Sequence, residues 1–184
     1  MEKVVVGIDY SMVSPGICVC RGDTFSFDRC EFHFLTSKKN LIGYNSNSIY
    51  GTEYPTFKSF EDRANEVSEW AVNIVGKADV VCIEGYAMAA KGLVFNIGEF
   101  TGLLKHKLWL LRDRKPLCIV APTSNKKFAT GKGNADKEKM YEAFLEETGC
   151  DLKSLLTPKQ KSGVGNPTSD LVDAYYLCKW GYSN

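Results

Sequence analysis

The opening nineteen residues restrict the fold more than any other stretch. Two Val- and Ile-rich runs, Val4 to Ile8 and Ile17 to Val19, flank a turn-prone segment that holds Ser11, Ser14, Pro15 and Gly16. This layout predicts a β-hairpin with a loop of medium length. The first run is almost continuously apolar, so its strand is expected to be buried on both faces. Asp9 closes that run. A carboxylate at the end of a buried strand is costly unless a partner or a cation offsets it. Asp9 therefore either caps the turn or belongs to a charged site, and the rest of the chain bears on which.

With 184 residues, the chain is expected to form one domain, 1–184, with a substantial core. No apolar run reaches the roughly 18 residues of a membrane span. Met1-Glu2-Lys3 followed by a strand is not the layout of a signal peptide. The seven cysteines (18, 20, 30, 82, 118, 150 and 178) include no Cys-x-x-Cys pair, and the only histidines are His33 and His106. That pattern argues against structural zinc and points to reduced thiols in a cytoplasmic protein. Net charge is only +1, but it is unevenly spread: Leu103 to Lys139 holds ten Lys or Arg and three acids, a local balance of +7. Such a segment either faces a polyanion or is a solvated helix face.

Further along, Phe25, Phe27, Phe32 and Phe34 mark a third strand over 24–36, broken near Asp28-Arg29. Residues 37–56 are polar and read as a long surface loop or a small hairpin. Phe60, Ala64, Val67, Ala71 and Ile74 form one helical stripe over 58–75. Asp79 to Glu84 is a short buried strand ending in an acid, and 86–93 is a loop of small residues. A long helix is expected over 94–112. Its Val94, Ile97, Thr101, Leu104, Leu108 and Leu111 keep heptad-like spacing, while Phe95, Phe100, Leu103, Trp109 and Leu110 widen the apolar surface. Such a helix is either wholly buried in a monomer or forms the seam of a homodimer, with Gly98 and Gly102 permitting close approach. A strand at 117–121, helices at 124–129 and 135–148 (Met140, Phe144 and Leu145 inward), a polar loop at 149–167 and a final helix from Thr168 to Gly181 complete the reading.

Asp9 and Glu84 end apolar strands, and Asp170 and Asp173 open the last helix at i, i+3, on one face. First-turn acids also suit the helix macrodipole, so this pair alone is ambiguous. The combination is more telling. Carboxylates without a nearby His or Cys form a hard-oxygen site suited to Mg²⁺ or Mn²⁺. Two such ions about 4 Å apart activate water and stabilise the leaving oxygen of a phosphodiester.

Gly7-Ile8-Asp9-Tyr10-Ser11, Pro15-Gly16, Ile83-Glu84, Pro122-Thr123-Ser124-Asn125-Lys126-Lys127, Gly131-Lys132-Gly133-Asn134-Ala135-Asp136-Lys137 and Asp170-Leu171-Val172-Asp173-Ala174 occur in order across most of the chain. With this order of elements, the chain resembles the ribonuclease H-like superfamily, and more narrowly the RuvC family of Holliday junction resolvases. The resemblance implies an α/β fold with a mixed sheet of about five strands, the first three antiparallel, flanked by helices. It implies that Asp9, Glu84, Asp170 and Asp173 are the catalytic, metal-binding acids for two Mg²⁺, with Asp9 bridging. It also implies that Lys126 and Lys137 meet DNA phosphates, a contact that gives affinity without reading sequence. Lys127, Lys132, Lys91 and Tyr86 are further candidate DNA contacts. Family members are dimers that place two active sites across a four-way junction.

The chain also departs from the family pattern. Ser11 stands where the family has glycine, and Ala87 stands where it has a junction-probing aromatic. Tyr86, one place away, either stacks on a base or packs in the loop. Segment 37–56 is longer than in the bacterial enzymes. This divergence resembles phage-encoded relatives that cut several branched DNAs, which would place the protein in a host cytoplasm. Rival readings are a flap or branched-DNA nuclease, an RNA–DNA hybrid nuclease, and a DNA-binding protein whose acids only cap helices and turns. An actin-like ATPase is disfavoured, because such proteins carry Asp-x-Gly and two domains. Gly131-Lys132-Gly133 is not a P-loop.

Overall fold

Val4–Asp9 forms β1 and Gly16–Arg21 forms β2, paired antiparallel with Val6 opposite Val19 and Asp9 opposite Gly16. The structure is a computed structural model that describes residues 2–86, 94–158 and 162–184. A short 3₁₀ turn at Phe27–Arg29 precedes β3, Cys30–Thr36, which runs antiparallel to β2. The strand expected over 24–36 begins only at Cys30, since 24–26 is irregular and the break expected near Asp28 is this turn; the first three strands are antiparallel as expected.

The polar stretch after β3 adds two strands, β4 (Asn45–Ser46) and β5 (Ile49–Glu53), with β5 parallel to β3. Next come α1 (Phe60–Val75), β6 (Val80–Glu84), α2 (Val94–Leu111) and β7 (Cys118–Val120). The chain closes with α3 (Pro122–Thr130), α4 (Lys137–Thr148), α5 (Leu152–Leu156) and α6 (Thr168–Ser183). The sheet has seven strands in the order β4-β5-β3-β2-β1-β6-β7, with β6 and β7 parallel to β1.

Three expectations need correction. The sheet has seven strands, not about five, because Leu41 and Ile49 are buried anchors within an otherwise polar segment. Two anchors are too few to show a period. The loop expected over 149–167 contains α5, whose N-cap Asp151 accepts a hydrogen bond from the Ser154 N–H. Leu145 does not face inward: it is partly exposed, and Tyr141 packs inside with Met140 and Phe144.

Side chains alternate across β1 and β2, so both faces are covered as their composition predicts. Val6, Ile8, Ile17 and Val19 face α1 and α2. Val5, Cys18 and Cys20 face the layer of α4, α5 and α6. On that side α6 sits directly on the sheet, and glycine makes this possible. A Cβ on Gly7 would lie 2.1 Å from the Ala174 carbonyl oxygen and 2.2 Å from the Cys178 nitrogen. A Cβ on Gly16 would meet the Asp170 backbone at 2.9 Å. The Gly7 contacts seat the middle of α6 on β1, and the Gly16 contact seats its first turn at the start of β2. Tyr175 then fills the layer, stacking on Phe32 at 6.3 Å and meeting Phe144 edge-on at 5.0 Å.

On the opposite face α2 packs through Phe100, Thr101, Leu104 and Leu108. Phe95 is 84% exposed and Leu110 51% exposed. The second apolar surface expected on this helix is split: Phe100 is buried and Leu103 packs against the core, while Phe95, Trp109 and Leu110 are exposed, and among the described residues nothing lies within 4 Å of the Cβ positions of Gly98 or Gly102. No described helix is long and apolar enough to cross a membrane.

Candidate active site

Parallel pairing sets Ile8 beside Ile83, so the next residues of β1 and β6, Asp9 and Glu84, lie at the C-terminal ends of adjacent interior strands. The seat of α6 at Gly7 and Gly16 brings Asp170 and Asp173 to that end of the sheet. The four acids then act on one another. The Asp9 carboxyl is held well above its usual range, first by burial and then by Glu84, Asp170 and Asp173. Burial, with Asp173 next, pushes Glu84 up to about 7. Asp170 rises to about 7 and Asp173 to about 6, again chiefly through burial. Perturbation of this size by burial and like charge is a mark of functional sites.

Asp170 is only 5% exposed, and its Oδ2 has no hydrogen-bond partner among the described residues. Its Oδ1 lies 3.4 Å from the Ser169 hydroxyl. A buried carboxylate oxygen without a donor is a rare and costly feature that a cation would offset. The donor set consists only of carboxylate oxygens, the chemistry of Mg²⁺ and Mn²⁺. These residues fit a hard divalent ion. They are neighbours and not a closed cage: among the described residues no three Asp, Glu, His or Cys side chains are drawn close enough to hold one ion as they stand.

Two lysines oppose the acids. Lys126 lowers the pKa of Glu84 and Asp173, and Lys137 lowers that of Asp9, Asp170 and Asp173. The Lys137 ammonium donates to the Ser169 hydroxyl at 3.1 Å. Lys127 and Lys132 are not among the main charges that shift these acids. Lys127 lies in the last turn of α3, where its carbonyl accepts from the Gly131 N–H, and Lys132 follows that cap. Tyr86 is exposed beyond the end of β6, with the Lys105 ammonium 4.4 Å over its ring and 3.2 Å from its hydroxyl. Lys91 and Ala87 lie outside the described residues.

Several short polar residues gain a role at the site that the sequence did not assign to them. The Ser11 hydroxyl, at the family's glycine position, accepts from the Val13 and Ser14 N–H groups at 3.1 Å each and builds the β1–β2 turn. Ser14 is buried and favours the charged form of Asp170. Asn125 is fully buried next to Lys126 and donates to the Asp173 carbonyl at 3.3 Å.

No family model matches the sequence, and no curated protein matches it either. Solved structures do. The chain is similar to Thermus thermophilus RuvC, at 15% identity and a TM-score of 0.58, over 96% of this chain and 91% of that one. It is also similar to T. thermophilus RuvC in complex with Holliday junction substrate, at 12% identity and a TM-score of 0.63, over 98% and 94%. The yeast mitochondrial Holliday junction resolvase Ydc2 matches at 16% identity and a TM-score of 0.50, over 97% and 78%. At these identities the likeness is one of fold, and the fold is the RuvC-like, ribonuclease H-like arrangement.

Proposed function

We propose that this chain is a metal-dependent endonuclease that cuts branched DNA, four-way junctions first among them. One observation carries the reading: four carboxyls from β1, β6 and α6 crowd together, each pushed up in pKa, with one buried oxygen unpartnered. The fold shared with structures named as junction resolvases supports it.

In this reading Asp9, Glu84, Asp170 and Asp173 hold two Mg²⁺, for which Mn²⁺ substitutes. Bound there, the ions supply an activated water and charge for the leaving oxygen of the phosphodiester. Lys126 and Lys137 neutralise the strand's phosphates beside the acids, where uncompensated carboxylates would repel them. The Ser169 hydroxyl and Ser14 orient Asp170. In-line hydrolysis leaves a 5′-phosphate and a 3′-hydroxyl. The open apolar face of α2 takes the same face of a second copy, and the resulting homodimer sets two sites on one junction. All seven cysteines are free, which suits action in the cytoplasm.

End-labelled four-way, three-way, flap and plain duplex DNA, incubated with Mg²⁺ and either wild type or Asp9→Asn, tests the proposal. The expected result is paired symmetric nicks in the four-way junction, absent with Asp9→Asn. Cutting of every branched substrate would widen the substrate class on the same site. Asp9→Asn cutting as wild type does would overturn the acid assignment. Binding without cutting by wild type would make the chain a junction-binding module.

A further inference from the structure

A cavity of about 170 Å³ lies between the β1–β2 loop, the end of β3 and the segment that enters α6. Val13, Leu35 and Pro167 give it apolar walls, and Ser14, Lys38 and Asn166 give it a polar rim. It abuts the acid cluster through two of these residues. Ser14 also faces the Asp170 carboxyl. Asn166 Oδ1 accepts from the Ser169 hydroxyl at 2.9 Å, and that hydroxyl is the group held by Lys137 beside Asp170. Cavity and acids thus share a wall.

The chemistry of the two spaces differs sharply. The acid cluster is built from carboxylates, whereas among the described residues the cavity has no acid in its lining and Lys38 is the one charged side chain there. Lys38 donates to the Asn166 carbonyl, which holds the mouth in place. Asn166 spends its side-chain oxygen on Ser169, and among the described residues no acceptor is shown for its amide nitrogen. An apolar slot rimmed by donors suits a planar ring that carries acceptor atoms on its edge. Its volume admits one base and not a base pair. A strand with a phosphate at Asp9 and Asp170 carries such a ring on the adjoining sugar, and branch points supply bases that unstack at little cost.

We propose that this cavity receives one unstacked nucleobase next to the phosphate being cut, and that Asn166 reads its edge through the amide N–H donors. The proposal rests on the nuclease reading above and adds to it a residue that sets cut-site preference.

The test uses four-way junctions carrying 2-aminopurine at each position around the branch, bound to Asp9→Asn so that they stay intact. One position is expected to brighten several-fold on binding, as a base leaving its stack does. Adding Ser37→Trp, or Val13→Trp from the opposite wall, fills the cavity and removes that signal; an unchanged unfolding midpoint checks the fold of each. On junctions randomised at the branch, Asn166→Ala in the otherwise wild-type chain flattens base preference at that one position by about tenfold, the worth of one good base contact. The salt dependence of binding stays the same, because phosphate contacts are untouched. The proposal is overturned if no position brightens, or if both filled variants keep the wild-type fluorescence and the Asn166→Ala cut-site profile is that of wild type. If wild type neither binds nor cuts branched DNA, the nuclease reading fails first and this one falls with it. Normal cutting with unchanged profiles defeats the cavity reading alone.

Discussion

Helices α6 and α2 cover opposite faces of the same sheet, and they bury themselves in opposite ways. α6 carries Ser169, Asp170, Asp173 and Lys179, yet eleven of its sixteen residues are buried. α2 is the more apolar helix, yet only four of its eighteen residues are buried. The difference lies in what each helix rests on. Gly7 and Gly16 let the α6 backbone touch the sheet, so even polar side chains are enclosed. α2 reaches the core through a single stripe, and Phe95, Trp109 and Leu110 stay at the surface. Enclosure of charge on α6 is tolerable where a ligand offsets it, and exposure of apolar area on α2 is tolerable where a partner covers it.

The comparison is most exposed to stability measurements on matched substitutions. Tyr175→Ala removes a ring packed against Phe32 and Phe144 and the hydroxyl that donates to Glu147, so it should cost about 4 kcal/mol. That corresponds to a Tm drop of about 10 °C for a chain of this size. Leu110→Glu on α2 should cost under about 0.5 kcal/mol in dilute protein, while sedimentation velocity shows a dimer become a monomer. Equal losses in the two variants would erase the distinction between the helices.

A second expected effect concerns the acids gathered at the start of α6. Glu84 and Asp170 titrate at about 7 and Asp173 at about 6 in the folded chain, above their unfolded values. The folded state therefore binds more protons than the unfolded one between those values. Without divalent ions, stability from these groups is full below pH 4 and is lost as pH rises through 6 to 7. Mg²⁺ should restore it above pH 7, since binding needs the deprotonated carboxylates. Melting curves in EDTA and in Mg²⁺ across this range check the sign, and Asp9→Asn should flatten the EDTA profile. A Tm that climbs with pH in EDTA would mean the acids are not crowded.

The smallest effect separates the lysines. Lys126→Ala should reduce the slope of log affinity for junction DNA against log salt by about 0.9, one phosphate contact. Lys127→Ala, outside the charges that act on the acids, should change the slope less. Identical slopes would remove the distinction between them.

Parts of the site were legible in the sequence for a physical reason. A carboxylate at the end of an apolar run announces an unmet cost, which is why Asp9 and Glu84 stood out, and the i, i+3 spacing of Asp170 and Asp173 placed both on one helical face. Ser14, Asn125, Asn166 and Ser169 did not stand out, because short polar residues in loops and helix starts ordinarily serve local turns and caps. The β4–β5 pair was legible only as one of two readings, a surface loop or a small hairpin, because its burial rests on Leu41 and Ile49, without a periodic run.

The sequence by itself determined the two-faced burial of β1, the acids that end β1 and β6, and the apolar excess of α2, since each is written in local periodicity and composition. Tertiary structure decided the rest. It decided that Ser14 and Asn166 join the acids to a cavity, and that α2 keeps Phe95, Trp109 and Leu110 exposed. Periodicity reports which way a side chain faces within its own element. Which elements meet depends on strand register and on close approach at Gly7 and Gly16, contacts between residues far apart in the chain.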